Sequence, residues 1–290
     1  MASARINGKT IVITGASSGI GRSTAFEFAR VAGPGSTIRL VLTARRLDVL
    51  KEVAAEIEAE FGARQTVHVL PVVLDVSDAD AVRAFVPSLP TEFRDINVLV
   101  NNAGLARGFA RAPAIAEADM NVMFATNVTG LINMTQAILP IYQARPDGGH
   151  GDIINIGSGA GRHPYAGGGI YCATKAALRS FSESLRQELV STRIRVIEID
   201  PGQVETASTL ATYFVKTGEH ADHQNFSVVR HYGDKAKADA IYANVEPLTP
   251  EDIAEVIVFT ASRRENVVVA DAMIYPSHQA GGGVMYRKSV

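Results

Sequence analysis

The sequence lacks the features that mark a secreted or membrane-bound chain. It contains one cysteine, Cys172, so an intramolecular disulfide is excluded. No apolar run approaches the ~20 residues that cross a membrane. The first candidate strand begins at Thr10, too early to follow a signal peptide. A reducing, cytoplasmic compartment and no membrane partner are therefore expected.

An excess of charge of one sign is also absent. The 28 Lys and Arg residues nearly balance the 30 Asp and Glu residues, and both signs are mixed along the chain. A surface of this kind does not suit a nucleic acid backbone, so no nucleic acid partner is predicted. Biased, low-complexity runs are missing too. With 47% hydrophobic residues, the chain is expected to bury a packed core.

Short β-branched runs alternate with longer segments of helical period. The predicted strands are residues 10–13, 38–43, 67–73, 96–100, 152–156, 194–199 and 272–275. Residues 47–61 place their apolar side chains on one helix face, as in a helix that covers a sheet. Strands that are apolar throughout imply a parallel sheet buried on both faces. The predicted fold is α/β: a doubly wound parallel sheet of the Rossmann type with seven strands flanked by helices, in a single domain over residues 1–290.

The stretch TGASSGIG at residues 14–21 supports two interpretations. Its inner part fits the G-x-S-x-G elbow that would present Ser17 as the nucleophile of a hydrolase. The whole stretch fits a glycine-rich turn that holds the phosphates of a dinucleotide. A hydrolase elbow follows several strands, whereas this stretch follows the first strand, where the dinucleotide turn belongs. The second interpretation is therefore preferred.

The glycines of this turn have separate roles. Gly15 permits the tight turn, Gly19 lets the backbone approach the pyrophosphate, and Gly21 lets the next helix pack closely on the sheet. The N–H groups at that helix N-terminus face the negative charge. The expected cofactor contacts here, with the serines as hydrogen-bond donors, are Gly15, Ser17, Ser18, Gly19, Ile20 and Gly21.

The end of the second strand indicates which dinucleotide binds. An acidic residue there would bind the adenosine ribose 2′-hydroxyl, but the sequence continues with Arg45 and Arg46. Two guanidinium groups can make charge-assisted hydrogen bonds to a 2′-phosphate. The predicted cofactor is therefore NADP(H), although two arginines would also suit the solvated start of a helix.

Tyr171 and Lys175 stand four residues apart at the head of a segment with helical period, so they share one helix face. A phenol with a pKa near ~10 is a poor general base at neutral pH. The ammonium group, together with the positive nicotinamide of an oxidised cofactor, is expected to lower the pKa of Tyr171. Taken alone, such a pair is common on ordinary helices.

Further motifs accompany this pair, most of them directly after predicted strands. They are Asn101-Asn102-Ala103-Gly104, Asn127, Ser158 and Pro201-Gly202-x-Val204-x-Thr206. Together with the glycine-rich turn and the Tyr171-x-x-x-Lys175 pair, they resemble the short-chain dehydrogenase/reductase family, in order and over nearly the whole chain. Ligands of open parallel sheets bind outside the carboxyl ends of the strands, where these motifs lie.

The resemblance implies a catalytic set of four residues. Tyr171 would act as the acid or base, Ser158 would steady the substrate oxygen, and Lys175 would bind the nicotinamide ribose. Asn127 would hold a water that connects Lys175 to solvent. The further cofactor contacts that the resemblance implies are Asp75 and Val76 beside the adenine, Asn102, Ala103 and Gly104 in the cleft, and Pro201, Gly202, Val204 and Thr206 near the nicotinamide.

Within this family, the chain is similar to the NADP-dependent 3-hydroxy acid dehydrogenases, which oxidise serine, allo-threonine and related small acids. The similarity includes the stretches GSGAGRHPYAGGGIYCATKAAL and PLTPEDIAEVIVFTASRRENVVVADAMIYP. It implies a homotetramer. One departure is an apparent insertion at residues 207–224, inside the segment at about 206–246 that forms a substrate lid in this family.

Candidate substrate contacts are Ser158, Tyr171, Gln203, Tyr213 and Arg230. A planar guanidinium suits a substrate carboxylate, so Arg230 is either such a contact or a solvated surface residue. An isolated histidine pair, His220 and His223, is too weak a pattern for a metal site. No metal is therefore predicted.

The predicted activity is the NADP(H)-dependent interconversion of secondary alcohols and ketones or other carbonyls. The hydride moves between the cofactor and a small-molecule substrate. A small 3-hydroxy acid such as serine is the first candidate substrate. The alternative within this chemistry is a ketoreductase for bulkier apolar carbonyl compounds. The alternative from a different class is a non-enzymatic NADP-binding sensor, although a sensor has no use for a tuned phenol.

Overall fold

Seven parallel strands form the main sheet, in the order β3-β2-β1-β4-β5-β6-β7. The computed structural model describes residues 3–146, 148–205 and 226–288. The strands are β1 (Thr10–Thr14), β2 (Thr37–Ala44), β3 (Thr66–Val73), β4 (Ile96–Asn101), β5 (His150–Ile156), β6 (Arg193–Pro201) and β7 (Asp271–Ile274). Each predicted strand overlaps one of these, so the predicted Rossmann-type sheet is confirmed.

Helices cover both faces of this sheet. They are α1 (Ser3–Ile6), α2 (Gly19–Ala32), α3 (Leu47–Phe61), α4 (Ala79–Ser88), α5 (Glu117–Phe124), α6 (Leu131–Gln143), α7 (Gly169–Glu188), α8 (Phe226–Arg230), α9 (Lys235–Ala240) and α10 (Pro250–Ala261). A π-helical segment, Ala125–Gly130, joins α5 to α6, and 3-10 turns lie at Thr91–Phe93 and Gly159–Gly161. The helix predicted at residues 47–61 is α3.

Alternate residues of the strands enter two separate apolar layers. In β1, Ile11 and Ile13 pack in one layer with Phe28 of α2, whereas Val12 packs in the other with Met134 of α6. All of these side chains are fully buried. The central strands are apolar throughout because both of their faces are covered.

The winding of the chain reverses between β3 and β4. Strands β2 and β3 lie on one side of β1, and β4 to β7 lie on the other. The carboxyl ends of β1 and β4 are therefore adjacent, and helices that follow them diverge to opposite faces. Ligands of open α/β sheets bind in the crevice at such a point.

The helical stretch Glu117–Gln143 corrects the expectation that no segment approaches the length of a membrane span. It comprises 27 residues and contains an 18-residue window with a mean hydropathy of 1.2, so by length and composition alone it could cross a membrane. Within it, Met134, Ile138 and Tyr142 are fully buried against the sheet. The apolar character of this stretch is therefore accounted for by its position as a core helix.

A buried ladder of polar side chains crosses the apolar layer beneath α6 and α7. Asn101 and Asn155 stand opposite each other on β4 and β5. The Asn101 amide donates to Asn155 Oδ1 at 2.9 Å and to Thr135 Oγ1 at 3.1 Å, and the Asn155 amide donates to Ser182 Oγ at 2.9 Å. These hydrogen bonds attach both helices to the sheet at fixed positions.

A second polar element, the ion pair of Asp152 and Arg195, joins β5 to β6 inside the protein. The guanidinium donates to both carboxylate oxygens, at 2.6 and 2.5 Å, and also to the carbonyl of Ala261 at the end of α10. Burial raises the pKa of Asp152, and Arg195 acts in the opposite direction. Each charge in this pair thus depends on the other for compensation.

Replacing Arg195 with Met should lower the free energy of unfolding by about 3–5 kcal/mol, because Asp152 would stay buried without its cation. Arg193 on the same strand offers a matched control, since its pair with Glu265 is exposed. Arg193→Met should cost less than about 1 kcal/mol. Urea unfolding of the two variants checks this, and equal losses would contradict it.

Candidate active site

The glycine-rich turn after β1 is held by the side chain of Asn102, which directly follows β4. The Asn102 amide donates to the carbonyls of Thr14, at 2.8 Å, and Gly15, at 3.2 Å. A Cβ atom added at Gly21 would lie 2.5 Å from both Asn102 Nδ2 and the Gly15 carbonyl oxygen. Gly21 must therefore lack a side chain for α2 to approach the turn, as the sequence predicts.

A cavity of about 790 Å³ opens at the crevice between the two halves of the sheet. Sites for small molecules span about 300–1,000 Å³, so this one is large. Most of the predicted site residues line it: Gly15, Ser17, Ser18, Gly19, Ile20, Arg45, Arg46, Asp75, Val76, Asn102, Ala103, Gly104, Ser158, Tyr171, Lys175, Pro201, Gly202, Gln203, Val204 and Arg230. Gly21 and Asn127 do not line the cavity and are buried beneath the residues that do.

One end of the cavity fits the phosphates of a dinucleotide. Gly15 and Gly19 have φ angles of 67° and 53°, a backbone conformation that favours glycine. Ser18 precedes α2 without a side-chain hydrogen bond to its first turn. The N–H groups of that turn therefore remain donors for an anion beside the cavity.

The two arginines after β2 reach the same end of the cavity. Arg46 Nη2 donates to Ser17 Oγ at 3.2 Å, which connects the end of β2 to the glycine-rich turn, and Arg45 is exposed. Asp75, after β3, accepts hydrogen bonds from the backbone and side chain of Ser77. The donors of Arg45, Arg46 and Ser17 fit a dinucleotide with an additional phosphate on its adenosine ribose.

Tyr171 and Lys175 project from the first turns of α7 toward the middle of the cavity. Lys175 Nζ lies 5.9 Å from the centre of the Tyr171 ring and donates to the Ile156 carbonyl at 2.7 Å. Burial lowers the pKa of Lys175 to about 8, against the opposing effect of Asp200 and Glu198. The predicted juxtaposition of phenol and amine is present.

The electrostatics of Tyr171 differ from the expectation that its neighbours lower its pKa. Burial raises the pKa of this phenol, and its hydrogen bond with Ser158 opposes the shift without cancelling it. The expectation counted the positive charge of an oxidised nicotinamide as well as Lys175. The groups of the protein by themselves do not lower the pKa of Tyr171. The phenol is consequently protonated at neutral pH.

Ser158 begins the 3-10 turn that follows β5. Its hydroxyl oxygen accepts a hydrogen bond from Ala160 N at 3.1 Å, and its own N–H donates to Asp200 Oδ1 at 2.9 Å. Both bonds fix the hydroxyl beside Tyr171. The position of Ser158 at the carboxyl end of a strand agrees with the sequence prediction.

Asn127 lies in the π-helical segment, buried behind the cavity. Its amide donates to the Leu105 carbonyl at 2.8 Å and to Thr174 Oγ1 at 3.1 Å, and its Oδ1 accepts from Leu105 N at 2.9 Å. A Cβ atom at Gly104 would lie 3.3 Å from this oxygen and 3.7 Å from Lys175 Nζ. Asn127 and Lys175 therefore flank the same glycine, as a relay between them requires.

Arg230 lies at the far end of the cavity, and it is buried. Its guanidinium stacks 3.8 Å from the centre of the Phe109 ring and donates to the Tyr165 hydroxyl at 2.8 Å. It also lies 5.8 Å from the centre of the Tyr171 ring. Of the two interpretations of Arg230, the solvated surface residue is wrong, because 8% of its surface is exposed.

The site also contains groups that the sequence analysis missed. Phe226 packs edge-on against Tyr171 with ring centres 5.7 Å apart. An antiparallel hairpin of β8 (Gln279–Gly281) and β9 (Val284–Met285) borders the cavity, and Gln279 Oε1 accepts from Gln203 N at 2.8 Å. The glycine run at residues 281–283 was the available signal for a turn here. Thr206, Tyr213 and the insertion at 207–224 lie outside the described residues.

Fold and site together define an oxidoreductase that uses a dinucleotide. A sequence profile described as short chain dehydrogenase matches residues 9–213. An NADP-dependent 3-hydroxy acid dehydrogenase of Schizosaccharomyces pombe is 50% identical over 284 residues, which cover 98% of each chain. The chain belongs to the short-chain dehydrogenase family.

Two further relatives support the same class. A serine 3-dehydrogenase of Agrobacterium fabrum is 37% identical over 97% of this chain and 99% of its own. The closed form of serine dehydrogenase complexed with NADP+ superposes with a TM-score of 0.80 at 35% identity, covering 96% of this chain and 99% of that one. The predicted family, enzyme class and cofactor, NADP, are confirmed by these comparisons.

The double variant Arg45→Gln/Arg46→Gln should bind NADP roughly 10²- to 10⁴-fold more weakly, since each of the two charge-assisted hydrogen bonds contributes about 1.5–3 kcal/mol. The affinity for NAD, which lacks the 2′-phosphate, should change far less. Calorimetric titration with both dinucleotides gives the ratio. Equal losses for NADP and NAD would show that these arginines do not contact the 2′-phosphate.

Proposed function

We propose that this enzyme interconverts a small 3-hydroxy acid and the corresponding 3-oxo acid, with Arg230 binding the carboxylate and Tyr171 exchanging the proton. The observation that carries this proposal is a buried guanidinium beside the phenol. The printed names of relatives, 3-hydroxy acid dehydrogenase and serine 3-dehydrogenase, support it.

Within the described residues, the Arg230 guanidinium has N–H donors that remain unused inside the cavity. Its Nη1 donates to Tyr165, whereas Nε and Nη2 have no hydrogen-bond partner among the described residues. A buried charge without compensation is costly, and a carboxylate supplies two oxygens in the geometry of the guanidinium fork. A substrate acid would therefore satisfy both the charge and the free donors.

The distance between Arg230 and Tyr171 limits the length of that acid. The guanidinium carbon lies 5.8 Å from the centre of the phenol ring, with the Phe109 and Tyr165 rings beside it. A molecule that bonds both groups has few carbons between its carboxylate and its reacting oxygen. A 3-hydroxy acid has this form.

The residues around Tyr171 support proton transfer to and from that oxygen. When bound, NADP(H) supplies or accepts the hydride. Because burial keeps the Tyr171 phenol protonated, it is a proton donor to the carbonyl oxygen in reduction. The Ser158 hydroxyl holds the same oxygen, and the Lys175 cation favours the phenolate that remains.

The aromatic rings near the substrate favour a second candidate, a ketoreductase for bulkier apolar carbonyls. Phe109, Tyr165 and Phe226 offer apolar surface at this end of the cavity. Such a substrate would leave the Arg230 charge uncompensated, so the acid is preferred. A single domain over residues 1–290, a lid at about 206–246, a homotetramer and a cytoplasmic location remain predictions.

Replacing Tyr171 with Phe should lower kcat by about 10²- to 10⁴-fold, because the proton donor is removed. The affinity for NADP, measured by calorimetry, should stay within a few-fold of the original value. A variant with unchanged turnover would disprove the role of Tyr171 and would favour the non-enzymatic sensor as the explanation of the cofactor site.

Replacing Arg230 with Met should remove the preference for an acid over its ester. The ratio of kcat/KM for 3-hydroxyisobutyrate to that for its methyl ester should fall by roughly 10- to 100-fold, as expected for a lost charge-assisted contact. Arg287→Met is the matched control, because Arg287 borders the same cavity but is exposed and donates to the carbonyls of Ala243 and Ile241.

The control should keep the original ratio. If Arg230→Met lowers activity on acid and ester equally, Arg230 supports the fold of the pocket and does not select the carboxylate. If the original enzyme prefers the ester, the second candidate replaces the first.

A further inference from the structure

Two acidic side chains lie buried directly behind the candidate catalytic residues. Glu198 and Asp200 are alternate residues of β6, and each has 1% of its surface exposed. A Cβ atom at Gly157 would lie 2.0 Å from Asp200 Oδ1 and 3.1 Å from Glu198 Oε1. Both carboxyl groups therefore converge on the backbone that leads into Ser158.

The two acids differ in their surroundings. Burial raises the pKa of Glu198 to about 8, helped by the charge of Asp200 and by a hydrogen bond between the two carboxyl groups. Asp200 forms an ion pair with Arg162, whose Nε donates to Asp200 Oδ2 at 2.7 Å. Arg162 Nη2 also donates to Asp271, at 2.8 Å. Burial and the neighbouring carboxylate therefore favour the neutral form of Glu198, and Arg162 pairs with Asp200.

Asp200 is connected to two members of the catalytic set. Its Oδ1 accepts the N–H of Ser158 at 2.9 Å, which fixes the backbone that carries the serine hydroxyl. Its charge also favours the cationic form of Lys175, ahead of the smaller effect of Glu198. Arg179 on α7 also acts on Glu198, and Asp200 and Arg162 both act on the phenol of Tyr275, which follows β7.

We propose that Asp200 is a positioning residue of this active site: its carboxylate, which pairs with Arg162, holds the Ser158 backbone in place and stabilises the cation of Lys175. This rests on the proposed function, because it assigns Ser158 and Lys175 to the reaction. It does not depend on which carbonyl compound is the substrate.

Three substitutions separate the two effects of Asp200. Asp200→Asn keeps an oxygen that can accept from Ser158 but removes the charge. Asp200→Ala removes both. Glu198→Gln is the comparison variant, since it replaces the neighbouring carboxyl group with an amide of similar shape and leaves Asp200 in place. All three are measured in the full chain with a carbonyl substrate that the original enzyme reduces.

The pH profile of kcat/KM in the direction of reduction tests the charge. The pKa of Lys175, already about 8, falls further when the carboxylate that stabilises its cation is removed. The alkaline limb of the profile should therefore move to lower pH by about one unit in Asp200→Asn. Glu198→Gln should move the limb less, because Glu198 has a smaller effect on the Lys175 cation than Asp200 has.

Hydrogen exchange of the ligand-free protein tests the position, independently of activity. The amide of Ser158 should exchange at least several-fold faster in Asp200→Ala, and at the original rate in Asp200→Asn and Glu198→Gln. NADP affinity should be retained in all variants that fold. If Asp200→Ala does not fold, the alkaline limb of Asp200→Asn still decides.

An unchanged limb in Asp200→Asn, or a limb that moves further in Glu198→Gln than in Asp200→Asn, would overturn the proposal. So would unchanged exchange in a folded Asp200→Ala variant. These failures are distinct from failure of the proposed function, which would appear as normal turnover by Tyr171→Phe with every Asp200 result still measurable.

Discussion

The contact between the Asn102 amide and the turn after β1 is the constraint on which the cofactor cleft depends. Asn102 follows β4, the turn follows β1, and these strands are neighbours at the place where the winding of the sheet reverses. The amide occupies the space where any side chain on Gly21 would lie. The Thr14 hydroxyl completes the junction by accepting from the N–H groups of Asn102 and Ala103, each at 3.0 Å. Close packing at this junction leaves the N-terminus of α2 open to an anion.

Buried charge distinguishes the rest of the site. Lys175, Asp200 and Arg230 are each more than nine-tenths buried, where an uncompensated charge would be costly. Lys175 and Asp200 compensate each other in part, together with Arg162, and this arrangement couples the catalytic helix to β6. Arg230 keeps free donors among the described residues. Within the described part of the chain, Arg230 is thus a buried cation with unused donors, at the end of the cavity to which we assign the substrate.

Much of the fold and of the cofactor site could be predicted because the signals are local. Buried strands reveal themselves as β-branched runs, and a spacing of four residues places Tyr171 and Lys175 on one helix face. Likewise, the position of the glycine-rich stretch directly after the first strand was enough to choose between a phosphate-binding turn and a nucleophile elbow. Each of these inferences uses residues that are close in sequence.

The remaining features depend on contacts between distant parts of the chain. Arg162 and Asp200 are separated by 38 positions, and Tyr165 and Arg230 by 65. The hairpin beyond β7 reaches back to Gln203 across 76 positions. No periodic pattern marks such pairs, so Asp200 looked like an ordinary polar residue at the end of a strand.

The sequence by itself determined the parallel sheet, the position of the dinucleotide turn and the pairing of phenol with amine, because hydrophobic period and helix geometry act over a few residues. The tertiary structure alone decided the upward shifts in the pKa values of Tyr171 and Glu198 and the burial of Arg230. Those properties are set by desolvation and by charges that folding brings together, and neither quantity exists in the extended chain.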